Sequence, residues 1–312
     1  MSRSYANNSA QVGPEIIFQI LASEIALISG NVSSAVITYL DVALKTGDVG
    51  AAKRATELAL AIRDHESALR AAEIWQKNDS EDKGASEAVK ALYLITGKNK
   101  KLIDKLIIER EKSRNKNTLE SFYNEVNALV SKSNNAASAL HIFEKVSYKD
   151  RLRPEVMYSR AMLQYRKGDK DKMENILRSL VKRKPDHAQA LNALGYSMAD
   201  ANKNLNEAFD LIKAALTFAP QDPHVIDSMG WVYFRLGQLE IAEEWLEKAF
   251  RQQPDAEISA HYGEVLWRLS RQEDAIQIWK MGFNKEPNNA ILLETVDRLK
   301  VQIDKLKGNI QN

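Results

Sequence analysis

Five histidines are the residues best suited to acid–base or metal chemistry: His65, His141, His187, His224 and His261. None stands three or four residues from another, the spacing by which one helix face offers two imidazoles to one metal ion. His261 and Glu264 do fall three apart, in His-Tyr-Gly-Glu. On a helix they share a face, so a hydrogen-bonded pair facing a groove is the default reading and a catalytic pair the sharper one. Adjacent carboxylates such as Glu243 and Glu244 read as solvated helix surface. The chain has no cysteine, which removes disulfides, thiolate zinc sites and sulfur nucleophiles. Neither a phosphate-cradling glycine loop, nor His-Glu-x-x-His, nor a serine elbow is present. Binding, not catalysis, is therefore the expected task, with no cofactor, no metal and no small-molecule substrate.

The elements that must position any binding residues are legible from one stretch, Pro223 to Pro254. Ile226, Met229, Gly230 and Tyr233 recur three or four apart and form one helical face. Gly230 removes a side chain where two helices cross closely. Leu236-Gly237-Gln238 breaks the chain, and Gly237 accommodates the positive φ of a tight helix exit. Ala242, Leu246 and Ala249 then make the facing stripe of a second helix, which Pro254 ends. The unit repeats. Candidate turns between paired helices centre on Gly30, Arg63, Gly97, Asn134, Gly168, Asn202, Gly237 and Ser270, in steps of 33 to 37 residues. The step of 37 separates Gly97 from Asn134, which places any bend or boundary between residues 110 and 120.

The expected organisation is a polar, disordered segment over 1–13, degenerate helical hairpins over 14–117, a sharper array over 118–288, and a capping helix and tail over 289–312. Pro14 suits a first helical turn. In the cap, Ile291, Thr295, Leu299, Ile303 and Leu306 run at helical spacing, as a single helix. Hydrophobic residues make up 44% and charged residues 28%, which fits a folded chain; net charge is only +2, which favours neither nucleic acid nor membrane. No apolar run is long enough to cross a bilayer as a helix. Charge is uneven along the chain, with a basic stretch over 145–184 and an acidic one over 205–265. A solvated, dipolar surface accounts for both. RNA-reading helical repeats need base-selecting pairs at fixed positions in every repeat, and no such pairs recur here.

The C-terminal half, 154–287, resembles the tetratricopeptide repeat (TPR) family. The expected fold is all-α: a right-handed TPR solenoid of about eight helix-turn-helix repeats with a C-terminal capping helix. In such arrays positions near 2, 5, 9, 12 and 13 of the first helix line a concave groove. The resemblance therefore points to Asn192, Tyr196 and Asp200 from one repeat. The next contributes His224, Asp227, Trp231, Phe234 and Arg235, and the last Glu257, Glu264, Trp267 and Arg268. Aromatic rings interleaved with charges suit a peptide segment or helix. The cationic clamp by which some TPR proteins hold a chaperone's terminal carboxylate is missing; its positions hold Asn192, Tyr196, Ser228, Glu257 and His261.

The whole chain is also similar to a bacterial envelope group of this family. The stretches that carry the likeness begin IIFQILASEIALISGNVSSAVITYLDVALKTGD and continue through DSMGWVYFRLGQLEIAEEWLEKAF and AHYGEVLWRLSRQEDAIQIW. Outer-membrane lipoproteins of that group act as adaptors for a periplasmic carboxy-terminal processing protease and its cell-wall hydrolase substrates. The resemblance implies a non-catalytic adaptor with a protein partner of that kind, in the periplasm or at the outer membrane. No signal sequence or lipid-bearing Cys is seen, so a complete precursor would stay in the cytoplasm, where the alternative role is an assembly scaffold.

Overall fold

The computed structural model describes residues 13–301. Among them are seventeen α-helices, one 3₁₀ turn at Tyr148–Asp150 and no strand. The expectation of disorder over 1–13 falls, Gly13 apart, outside the described residues. The chain forms two compact units that divide between Arg151 and Leu152.

The first unit holds α1 (Pro14–Ile28), α2 (Val32–Thr46), α3 (Val49–Ala61), α4 (His65–Asn78), α5 (Lys83–Ile95), α6 (Asn99–Asn115), α7 (Leu119–Ser131) and α8 (Ala136–Ser147). The second holds α9 (Pro154–Arg166), α10 (Lys170–Arg183), α11 (Ala188–Asp200), α12 (Leu205–Phe218), α13 (Pro223–Arg235), α14 (Leu239–Gln252), α15 (Ala256–Arg268), α16 (Gln272–Lys285) and α17 (Ala290–Arg298). The helices pair as antiparallel hairpins, one pair per repeat.

The turns follow the expected register closely. Seven of the eight proposed centres have positive φ: Gly30, Arg63, Gly97, Gly168, Asn202, Gly237 and Ser270. Each is followed by an amide that reaches back five residues, as in Asp64 N to Ala59 O at 2.9 Å and Arg271 N to Leu266 O at 2.9 Å. This double closure satisfies carbonyls that the helix end leaves free. Asn134 is the exception. There the helix end is closed by shorter bonds, Lys132 N to Leu129 O and Ser133 N to Val130 O. Several second helices start from side-chain caps: Asn31 accepts from Ser34 N, and Asp169 from Lys172 N.

Packing follows the small-residue stripes. Ala35, Ala52, Ala55, Ala59, Ala68 and Ala72 have no exposed surface in the first unit. Ala242, Leu246 and Ala249 are equally sealed in the second. A Cβ at Gly230 would lie 2.5 Å from Leu246 Cγ, so the α13–α14 crossing requires glycine. The same holds at Gly195 against Ile212, and at Gly263 against Trp279.

The capping segment departs from a single helix. α17 closes at Arg298, Lys300 takes φ +56°, and Val301 N bonds Val296 O at 2.9 Å. Val301 is thereby folded back into the core, only 7% exposed, and its burial stabilises the break. Ile303 and Leu306 lie outside the described residues.

Candidate functional site

Within the second unit, the first helices of successive repeats line a cavity of about 370 Å³. Tyr165 comes from α9, Tyr196 and Asp200 from α11, Trp231 and Arg235 from α13, and His261 from α15. Lys170 opens α10, and Ile291, Glu294, Thr295 and Arg298 of α17 form the far wall.

A buried polar chain forms its floor. Asp227 and His261 are 3% and 1% exposed. His261 Nδ1 lies 2.9 Å from Asp227 Oδ2, and His261 Nε2 lies 3.3 Å from the Tyr196 hydroxyl. Burial pulls the imidazole pKa down, but the Asp227 carboxylate outweighs it and holds His261 above its ordinary value. Glu257, close by, is pushed up by burial, and burial raises Tyr196 well above the usual phenol range.

Rings are stacked on this floor. Trp231 lies 4.1 Å from the His261 ring at 22° and 4.9 Å from the Phe234 ring at 26°. The Arg235 guanidinium sits 5.7 Å from the Trp231 centroid and donates to Asp200 O at 3.1 Å. Glu264, 1% exposed, receives a bidentate pair from Arg298 at 2.8 and 2.5 Å, which ties α15 to α17. Lys170 Nζ lies 3.5 Å from Asp200. Charges in the site are thus largely paired within it. In the second unit, four sealed side-chain atoms have no hydrogen-bond partner among the described residues: Trp231 Nε1, Arg235 Nε, Asn192 Oδ1 and Gln164 Oε1.

The residues expected from the sequence divide into three groups. Tyr196, Asp200, Trp231 and Arg235 line the cavity. Asp227, Phe234 and Glu264 stand behind the lining, held by His261, Trp231 and Arg298, and Glu257 borders Tyr196. Asn192 is half-buried outside the lining. His224, Trp267 and Arg268 do not join the cavity. His224 is exposed against Gln253, Trp267 packs on Trp279 at 5.6 Å, and Arg268 is exposed. Of the expected aromatics, Trp231 is only 4% exposed and stacks between His261 and Phe234, whereas Tyr196, Phe234 and Trp267 are half-buried. Tyr165, Lys170 and the α17 residues were not foreseen. A signal existed: Tyr165 stands at position 12 of the repeat that starts at Pro154. Ile291, Glu294 and Arg298 stand at positions 2, 5 and 9 when α17 is counted as a further first helix.

The tetratricopeptide repeat family model matches residues 158–223 and 228–279. A TPR repeat-containing protein of Pseudomonas aeruginosa, PA4667, is 45% identical over 109 residues. That match takes in 35% of this chain and 18% of the relative, so the chain covers less than a fifth of that protein. Among solved structures, the thermophilic TPR protein TTC0263 of Thermus thermophilus superposes with a TM-score of 0.50 at 20% identity, over 58% of this chain and 99% of its own. A tetratricopeptide repeat protein of Parabacteroides merdae covers 91% of this chain and 98% of its own, with a TM-score of 0.48 at 14% identity. The family model thus matches two stretches of the second unit, and the structural likeness shows the fold, that of an all-helical TPR solenoid.

Proposed function

We propose that the second unit is the docking module of a non-catalytic adaptor and holds a peptide segment or helix of a partner protein in its groove. We place that partner in the bacterial envelope, as a periplasmic processing protease or a cell-wall hydrolase. The observation that carries the reading is the cavity itself, about 370 Å³, lined from equivalent positions of successive first helices. Its walls are rings, and its charges are mostly paired internally. A main chain, with alternating donors and acceptors, suits such a wall better than a strongly charged ligand. The TPR fold supports a protein partner, and the relative in Pseudomonas supports a bacterial setting.

The test is affinity capture from bacterial envelope and cytoplasmic extracts, with Tyr165→Ala/Lys170→Ala as the control. Both side chains line the cavity, and Tyr165 is 42% exposed, so their loss spares the core. Retention of an envelope protease or hydrolase by wild type, and its loss from the variant, is the expected result. Capture of cytoplasmic proteins or RNA alone would overturn the envelope assignment. Equal capture by both forms would overturn the groove.

A further inference from the structure

The first unit contains a second, separate trough. In the second unit α11 packs beside α13, α13 beside α15, and α15 beside α17. Between α5 and α7 two adjoining cavities of about 530 and 520 Å³ take the place of that contact, sharing Ala91, Leu129 and Lys132. This is the repeat with the 37-residue step, and α6 runs 17 residues where the other second helices run 12 to 15.

On one side the wall is the groove face of α5: Gly84, Glu87, Ala88, Ala91, Leu94 and Ile95. On the other stand Phe122, Val126 and Leu129 of α7, the first two only 5% and 2% exposed and Leu129 half-buried. Face-to-face helices thus present an apolar, small-residue slot about 20 Å long, at ~1.5 Å per residue of α5. Ala88, Ala91, Leu94 and Leu129 are only half-buried, and Ile95 is 55% exposed.

Charge gives the slot a polarity. Lys90 and Glu109 on its floor pair at 3.2 Å. Glu87, in the first half of α5, and Glu125, mid-way along α7, make no ion pair with a described residue. Lys132, just past the end of α7, likewise makes none. α5 and α7 run in the same direction, so both direct their partly negative C-terminal ends toward Lys132. The geometry points to one occupant: an amphipathic α-helix of a partner protein, lying antiparallel to α5 and α7. Its apolar stripe fills the slot. Its N-terminal acidic residue meets Lys132, and its positive N-terminal end faces the two helix C-termini. Its C-terminal basic residues meet Glu87 and Glu125.

The experiment uses the full chain and two labelled helical peptides of about 14 residues, the length the slot accommodates. Both carry the same Leu/Ile stripe; one has Glu at its N-terminal and Lys at its C-terminal end, and the other has these charges exchanged. Fluorescence anisotropy reads affinity. Exposed ion pairs each change affinity about two- to fivefold, so the first peptide should bind roughly tenfold tighter at low salt. Ala91→Trp fills the slot and should weaken it by tenfold or more, on the order of a lost central contact. If that variant loses helicity, Ala128→Trp at an exposed lining position makes the same test. Glu87→Lys/Glu125→Lys should reverse the preference between the peptides. Tyr165→Ala/Lys170→Ala should leave both affinities unchanged. Equal affinity for the two peptides, or no binding, would overturn the proposal. So would binding indifferent to the tryptophan variants. Self-association abolished by Ala91→Trp, with no peptide bound, would assign the slot to a second copy and overturn it as well.

Discussion

Gly263→Ala adds one methyl group, and the structure gives its consequence. A Cβ there would lie 2.2 Å from Trp279 Nε1 and 2.6 Å from two further ring atoms. Ordinary contact is about 3.5–4.0 Å, so the indole must withdraw by more than about 1 Å. Trp279 has no exposed surface and nowhere to go. Its Nε1 donates to Ala260 O at 3.3 Å, a bond that withdrawal would break. Overpacking costs about 1–3 kcal/mol and an orphaned buried donor about 1–3 kcal/mol. Replacing a mid-helix glycine with alanine returns about 1 kcal/mol. The expected net loss is about 3 kcal/mol, or a melting point lower by about 6–12 °C for a unit of this size. Urea unfolding followed by tryptophan fluorescence is the assay, because Trp231, Trp245, Trp267 and Trp279 all lie in the second unit. Trp279→Leu in the same chain should recover part of the loss by vacating the site. A midpoint unchanged to within about 0.5 kcal/mol, the scatter expected of an inert substitution, would refute the packing described here.

Other perturbations read different parts of the molecule. Gly230→Leu should abolish cooperative unfolding of the second unit, since even its Cβ would meet Leu246 N at 3.1 Å; an unchanged thermal melt by circular dichroism would contradict the register of α13 on α14. Ser270→Gly should raise stability by about 1 kcal/mol, because Ser270 sits at φ +63° with its side chain exposed and a non-glycine residue there is strained. Arg63→Gly, at φ +60°, should do the same in the first unit, both gains being read as shifts in the urea midpoint. The folded-state pKa of His261 is raised above 6.5. The folded form therefore holds a proton that the unfolded form releases, so this stabilisation is complete below pH 6.5 and is lost as pH rises through the folded value. Glu257, also raised, acts in the same direction from pH 4.5 upward. Stability of the second unit should fall as pH rises above 6.5, and His261→Gln should flatten that slope in urea titrations at several pH values.

The repeat was open to reading because it is written locally. Helix hydrogen bonds join residues four apart, and the turn that ends each first helix needs one residue that tolerates positive φ. Gly30, Gly97, Gly168 and Gly237 declare that need, and the period then locates Arg63, Asn202 and Ser270, which do not. Crossing glycines and alanine stripes are likewise visible, since a small residue at a fixed position has few other uses inside a helix. The groove was only half legible. Position in the repeat picks out Tyr196, Asp200, Trp231 and Arg235, but it does not say which charges neighbours will consume. Asp227 meets His261, and Glu264 meets Arg298, each 34 residues on, one repeat away.

The amino-acid sequence by itself determined the all-helical class, the period, the turn positions and the sites where helices must cross closely, since each of these rests on residues within one hairpin. Only the tertiary structure decided that Trp231 is sealed in a stack, that α17 walls the groove and that α5 and α7 stand apart over an open slot. Those outcomes depend on which side chain the adjoining repeat brings against each face. Burial and charge pairing are settled between repeats, whereas helices and turns are settled within them.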